Sequence, residues 1–120
     1  MRNSIFHIPL RIKPPLLYIL DVSMMKHLQI VVSGKVQGVY FRRDTQLEAQ
    51  RRGVNGTVAN QDDGSVIIEA EADEIRLEAF VLWCHSGPEL ANVTTVPTNE
   101  GEVKGFTSFA VLADPSDSLG

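Results

Sequence analysis

Hydrophobic and polar positions along the chain recur with two different periods, and each change of period marks a boundary between elements. Period two first appears over His27–Ser33, where Leu28, Ile30 and Val32 fall on one side of an extended segment. Gly34-Lys35-Val36-Gln37-Gly38 interrupts it with two glycines four positions apart. Phe41–Arg52 then reads as a helix: Gln, Leu, Glu, Ala and Arg dominate, Glu48 and Arg52 stand one turn apart, and Gly53 follows the end. Thr57–Asn60 and Ser65–Glu71 predict a hairpin joined by Gln61-Asp62-Asp63-Gly64, with Val66, Ile68 and Ala70 inward and Glu69 and Glu71 outward. Asp73 fits the N-cap of a second helix that ends near His85 and is stopped by Gly87-Pro88. Two further strands are predicted near Ala91–Val96 and Thr107–Leu112, with a loop around Asn99–Gly105 between them.

This order, β-α-β-β-α-β, predicts an α+β fold of the ferredoxin-like, split-βαβ type: an antiparallel sheet with both helices on one face. Such a scaffold carries many unrelated functions, so function has to be read from particular residues.

Charge divides the chain. Residues 1–25 hold Arg2, Arg11 and Lys13 against Asp21 alone, a net +2, whereas the whole chain carries −4 and the remainder therefore −6. The leading segment is apolar but broken at Arg11, Pro14, Pro15 and Asp21. No run in it approaches the roughly 18–20 apolar residues that cross a bilayer, and it lacks the unbroken core and cleavage site of a secretory signal. It reads as an extension outside the domain, translated from upstream of a natural start at Met24 or Met25; its basic, nearly acid-free composition also leaves a targeting presequence open. The expected organisation is an extension over 1–25 without a fixed fold of its own, a domain over 26–114 and a tail over 115–120. An acidic domain argues against binding the phosphate backbone of a nucleic acid. The one cysteine, Cys84, excludes an internal disulfide framework and a multi-cysteine zinc site, and a reducing compartment suits it.

The segment from Gly34 to Arg42 is the place where chemistry concentrates. A glycine-punctuated turn opening onto a helix N-terminus aims several backbone N–H groups at one spot, and the helix dipole adds to their attraction for a phosphate or carboxylate. Arg42, in the first helical turn, brings a planar guanidinium to the same anion. Neither a Walker loop nor a dinucleotide fingerprint is present. Two glycines before a helix also serve an ordinary tight turn.

The full string sharpens this reading. Gly34-Lys35-Val36-Gln37-Gly38-Val39-Tyr40-Phe41-Arg42 resembles the first signature of the acylphosphatase family, G-x-V-Q-G-V-x-[FY]-R, at every fixed position. Gly56-Thr57-Val58-Ala59-Asn60-Gln61-Asp62-Asp63-Gly64-Ser65-Val66 resembles the second, with Asn60 eighteen residues beyond Arg42. Gly87-Pro88-Glu89-Leu90-Ala91-Asn92-Val93 is similar to the family's passage into its fourth strand. The resemblance spans about residues 27–112. It implies that Arg42 binds the substrate phosphate together with backbone amides of Gln37, Gly38, Val39, Tyr40, Phe41 and Arg42, and that Asn60 orients the attacking water. It further implies a small acyl phosphate as substrate, inorganic phosphate as product and competitive inhibitor, no metal or cofactor, no nucleic-acid or membrane partner, and a cytoplasmic monomer. The family pattern has an aromatic residue where Thr57 stands and often a basic one where Ala59 stands, which points to weaker activity or stability. A non-catalytic module of the same fold that binds an anion or a partner protein is the competing reading. RNA recognition is disfavoured, because strand Ser65–Glu71 has no aromatic residue for base stacking and carries two acids.

The remaining candidates read as structural. His7, His27 and His85 share no ligand-like spacing. Cys84, beside Trp83 in an apolar run, reads as a small core residue. Glu69, Glu71, Asp73, Glu74 and Glu78 read as a solvated face. Asn55-Gly56-Thr57 and Asn92-Val93-Thr94 match a glycosylation acceptor, which has meaning only in a secreted chain.

Overall fold

A computed structural model of the chain describes residues 24–114. The predicted extension lies outside the described residues except for Met24 and Met25, and so does the predicted tail over 115–120. The elements are β1 (Lys26–Lys35), α1 (Phe41–Arg52), β2 (Asn55–Asn60), β3 (Val66–Ala72), α2 (Glu74–Ser86), β4 (Asn92–Thr95), β5 (Thr98–Gly101) and β6 (Phe109–Val111). Local chemistry explains several boundaries. The Asp73 carboxylate accepts from the Arg76 amide and caps α2. Gly53, in the left-handed region, closes α1 by donating back to the helix carbonyls.

The strands form one sheet in the order β4-β1-β3-β2-β6, with β5 pairing the first half of β1 and β4 its last residues. Both helices pack on one face. Ile30 and Val32 of β1, Val58 of β2 and Val66, Ile68 and Ala70 of β3 are buried beneath Phe41 and Ala49 of α1 and Leu77, Phe80 and Cys84 of α2. The period-two alternation thus chose the core face correctly. Cys84 is fully buried, and burial, reinforced by the nearby Glu48 carboxylate, pushes its thiol up to about 12. It is a core residue, as predicted.

Three expectations are corrected. The segment predicted as a loop around Asn99–Gly105 begins inside a strand: β5 pairs antiparallel with β1, Ile30 opposite Thr98 and His27 opposite Gly101. All four β5 residues are exposed, so no hydrophobic period announces it. The sheet is mixed rather than wholly antiparallel, because β6 runs parallel to β2, Gly56 opposite Phe109 and Val58 opposite Val111. The reason is the connection: residues 102–108 cross one end of the sheet from the β1 edge to the β2 edge, and deliver β6 in the direction of β1 and β2.

That crossing also overturns the reading of Glu71 as solvated. Its carboxylate is fully buried and accepts the backbone N–H groups of Lys104, Gly105 and Phe106. His27, also buried, lies between two carboxylates, with Nδ1 2.7 Å from Glu71 and Nε2 2.5 Å from Glu69. Strand alternation assigns a side chain to a face of the sheet but cannot foresee that a distant loop covers that face. Burial alone would raise the Glu71 carboxyl, but the three amides and His27 outweigh it and hold it below the ordinary carboxylate range. A carboxyl depressed in the native state binds its proton more readily when unfolded. The stability it contributes is therefore full above the ordinary carboxylate value of 4.5 and is lost as pH falls through the depressed native one. Glu71→Gln should cost about 2 kcal/mol at neutral pH and flatten the acid limb of a plot of thermal midpoint against pH. An acid limb unchanged from wild type would assign that loss of stability elsewhere.

Candidate active site

β1, β2 and β6 run in the same direction, so their C-terminal ends meet at one end of the sheet. The loop after β1, the last residue of β2 and the chain leaving β6 are thereby brought together. A cavity of about 530 Å³ opens there, lined by Gly38, Tyr40 and Arg42 from the first signature, Arg43 from α1, Asn60 from β2 and Val111 and Ala113 from the β6 end.

The loop is held rigidly. Gly34 has φ +123°, and a Cβ there would lie 2.2 Å from the Asn92 carbonyl of β4, so the tight exit from β1 requires glycine. Gly38, at φ +74°, borders open space, as suits a backbone that a ligand approaches closely. Val36, Val39 and Phe41 are buried and anchor the loop in the core. The Gln37 side chain donates to the carbonyls of Gln61 (2.8 Å) and Ser65 (2.9 Å), tying the loop to the β2–β3 turn beside Asn60. That turn is itself braced by the Ser65 hydroxyl, which donates within reach of Gln61 and Asp63. Tyr40 precedes α1 with φ 66°, ψ 22°, a left-handed conformation unusual for a large residue. Its side chain caps no amide of the first turn. It stands exposed with the Arg43 guanidinium 4.6 Å above its ring.

Arg42 and Asn60, separated by a helix and a loop in sequence, meet across a third group. The Asn60 amide donates to Asp114 Oδ2 at 2.8 Å, and Arg42 Nη2 lies 3.6 Å from the same oxygen. Arg42 Nη1 donates to the Leu112 carbonyl at 2.9 Å. The six loop residues singled out from the sequence, Gln37 to Arg42, therefore lie together with Asn60. The side-chain clamp of Gln37 was not legible, and neither was Asp114. The only signal for Gln37 was its fixed place in the signature; Asp114 carried none.

The chain is a ferredoxin-like α/β sandwich in which a glycine-bounded loop, an arginine and an asparagine lie together at one end of the sheet. A family model described as Acylphosphatase matches residues 28–111. An acylphosphatase of Nocardioides sp. is 44% identical over 91 residues, covering 76% of this chain and 92% of that protein. Among solved structures, an acylphosphatase from Coxiella burnetii superposes with a TM-score of 0.74 at 29% identity, covering 77% of this chain and 97% of the other. One from Bacillus subtilis gives 0.72 at 37% identity, covering 75% and 100%. The chain belongs to the acylphosphatase family and is an enzyme of that class.

Proposed function

We propose that the chain hydrolyses the carboxyl–phosphate bond of acyl phosphates through Arg42, the amides of residues 37–42 and Asn60. The observation that supports this reading is that Arg42 Nη2 and Asn60 Nδ2 converge on one anionic oxygen, Oδ2 of Asp114. N–H donors brought from the start of α1 and the end of β2 to within reach of one anionic oxygen suit a phosphoryl group bound beside it.

An acyl phosphate is a mixed anhydride with a stable carboxylate as leaving group, so the site has mainly to place the reactants and balance charge on the phosphoryl oxygens. The loop amides and Arg42 hold those oxygens. Asn60 accepts a hydrogen bond from the attacking water through its amide oxygen and donates one through its nitrogen, which a carboxylate could not do beside a dianion. The water oxygen bonds to phosphorus as the bond from phosphorus to the bridging oxygen breaks. The electron pair leaves with the carboxylate, and the water protons pass to phosphate and solvent. Inorganic phosphate, as product, should compete for the same cradle.

Two measurements test this together. The purified chain should turn over benzoyl phosphate, with inorganic phosphate inhibiting competitively. Titration with phosphate should move the amide resonances of residues 37–42 most. Turnover absent with phosphate bound at the loop would favour the non-catalytic anion-binding reading, and shifts centred on another surface would overturn the site.

A further inference from the structure

The proposed chemistry gives no role to Asp114, which lies against both of its side chains. Asp114 follows β6 and touches both Arg42 and Asn60, and it is only about a quarter exposed. β6 is fixed in register by its parallel pairing with β2, by the Leu112 N–H donating to the Val58 carbonyl at 2.8 Å and by Arg42 donating to the Leu112 carbonyl. The sheet therefore fixes the chain as far as Leu112, two residues before Asp114.

We infer that Asp114 is a positioning residue that fixes which way the Asn60 amide faces. A carboxylate only accepts hydrogen bonds, so Asn60 must turn its Nδ2 toward Asp114. The amide group is planar, and its oxygen is thereby turned away from Asp114. Without that partner the amide can rotate by half a turn at little cost, and half of its orientations would offer a donor where the water needs an acceptor. The same carboxylate, with the Leu112 carbonyl, restrains the Arg42 guanidinium from the β6 side. This inference rests on the proposed role of Asn60 in orienting water.

The test uses Asp114→Ala and Asp114→Asn in the full chain, each alone and combined with Asn60→Ala. Asparagine removes the charge but keeps an acceptor oxygen, which the Arg42 guanidinium, able only to donate, turns toward the position shared with Asn60; alanine removes both. Asp114→Ala should lower kcat by about tenfold or more, as for a misplaced reacting group, and change the phosphate inhibition constant far less. Asp114→Asn should recover most of the lost turnover. In an Asn60→Ala background, Asp114→Ala should cause no further loss in kcat, because it acts through the absent amide. The Asn60 side-chain amide resonance should shift in Asp114→Ala and stay near its wild-type position in Asp114→Asn.

Turnover in Asp114→Ala equal to or faster than wild type would overturn the inference and make the carboxylate an obstruction. Equal losses in the alanine and asparagine variants, or an undiminished loss in the Asn60→Ala background, would also overturn it. A wild-type chain inactive on benzoyl phosphate would defeat the proposed chemistry instead, and the Asn60 resonance would still decide the orienting contact.

Discussion

Arg42→Lys should lower turnover of an acyl phosphate by at least about a hundredfold, the scale of losing a main transition-state contact. The substitution keeps a positive charge, so the loss measures geometry. Arg42 reaches in two directions at once, Nη1 to the Leu112 carbonyl and Nη2 toward Asp114, and a planar fork can do this while presenting fixed N–H groups to phosphate. A lysine nitrogen is a single point on a flexible stem. It can satisfy the β6 end or the phosphate, but cannot hold one in order to aim at the other. The side chain is partly exposed at the surface of the site, so the thermal midpoint should move little. Steady-state kinetics on benzoyl phosphate, with the phosphate inhibition constant measured on the same sample, check this. Near-wild-type turnover would show that charge alone suffices.

Asn60→Ala should lower kcat by roughly a hundredfold to a thousandfold, as for removal of one preorganised polar group, while phosphate inhibition changes little. The loop amides and Arg42 hold the phosphate, whereas the amide acts on water. Asn60 is at the end of β2, opposite Val66 of β3, and among the described residues its side chain makes one hydrogen bond, to Asp114. Truncation should therefore cost only about 1 kcal/mol of stability. A fall in phosphate affinity proportional to the fall in turnover would place Asn60 in the binding cradle. Unchanged turnover would remove it from the mechanism.

The elements most legible from sequence were those fixed by local chemistry. The helix over Phe41–Arg52 and the capping of α2 by Asp73 follow from local chemistry, namely propensity, a capping side chain and a terminal glycine. The inward set Val66, Ile68 and Ala70 follows from alternation. Illegible were features made by contacts distant in sequence. β5 is a wholly exposed edge segment whose only reason to be a strand is its pairing with β1. Glu71 is on the face opposite the helices, and only the crossing of residues 102–108 buries it.

The sequence by itself determined the amide loop, its glycines and the two signatures that place Arg42 and Asn60 in a recognised family, because these depend on residue type at fixed local spacing. It also determined the order of the major elements and the face each presents to the core. Only the tertiary structure decided that β6 runs parallel to β2. That direction has no local determinant: three residues of strand pair equally well either way, and the path of the preceding connection selects between them. Its consequence for the site is large. Running parallel, β6 ends beside Asn60 and brings Leu112 and Asp114 to Arg42; running antiparallel, it would carry them to the opposite end of the sheet.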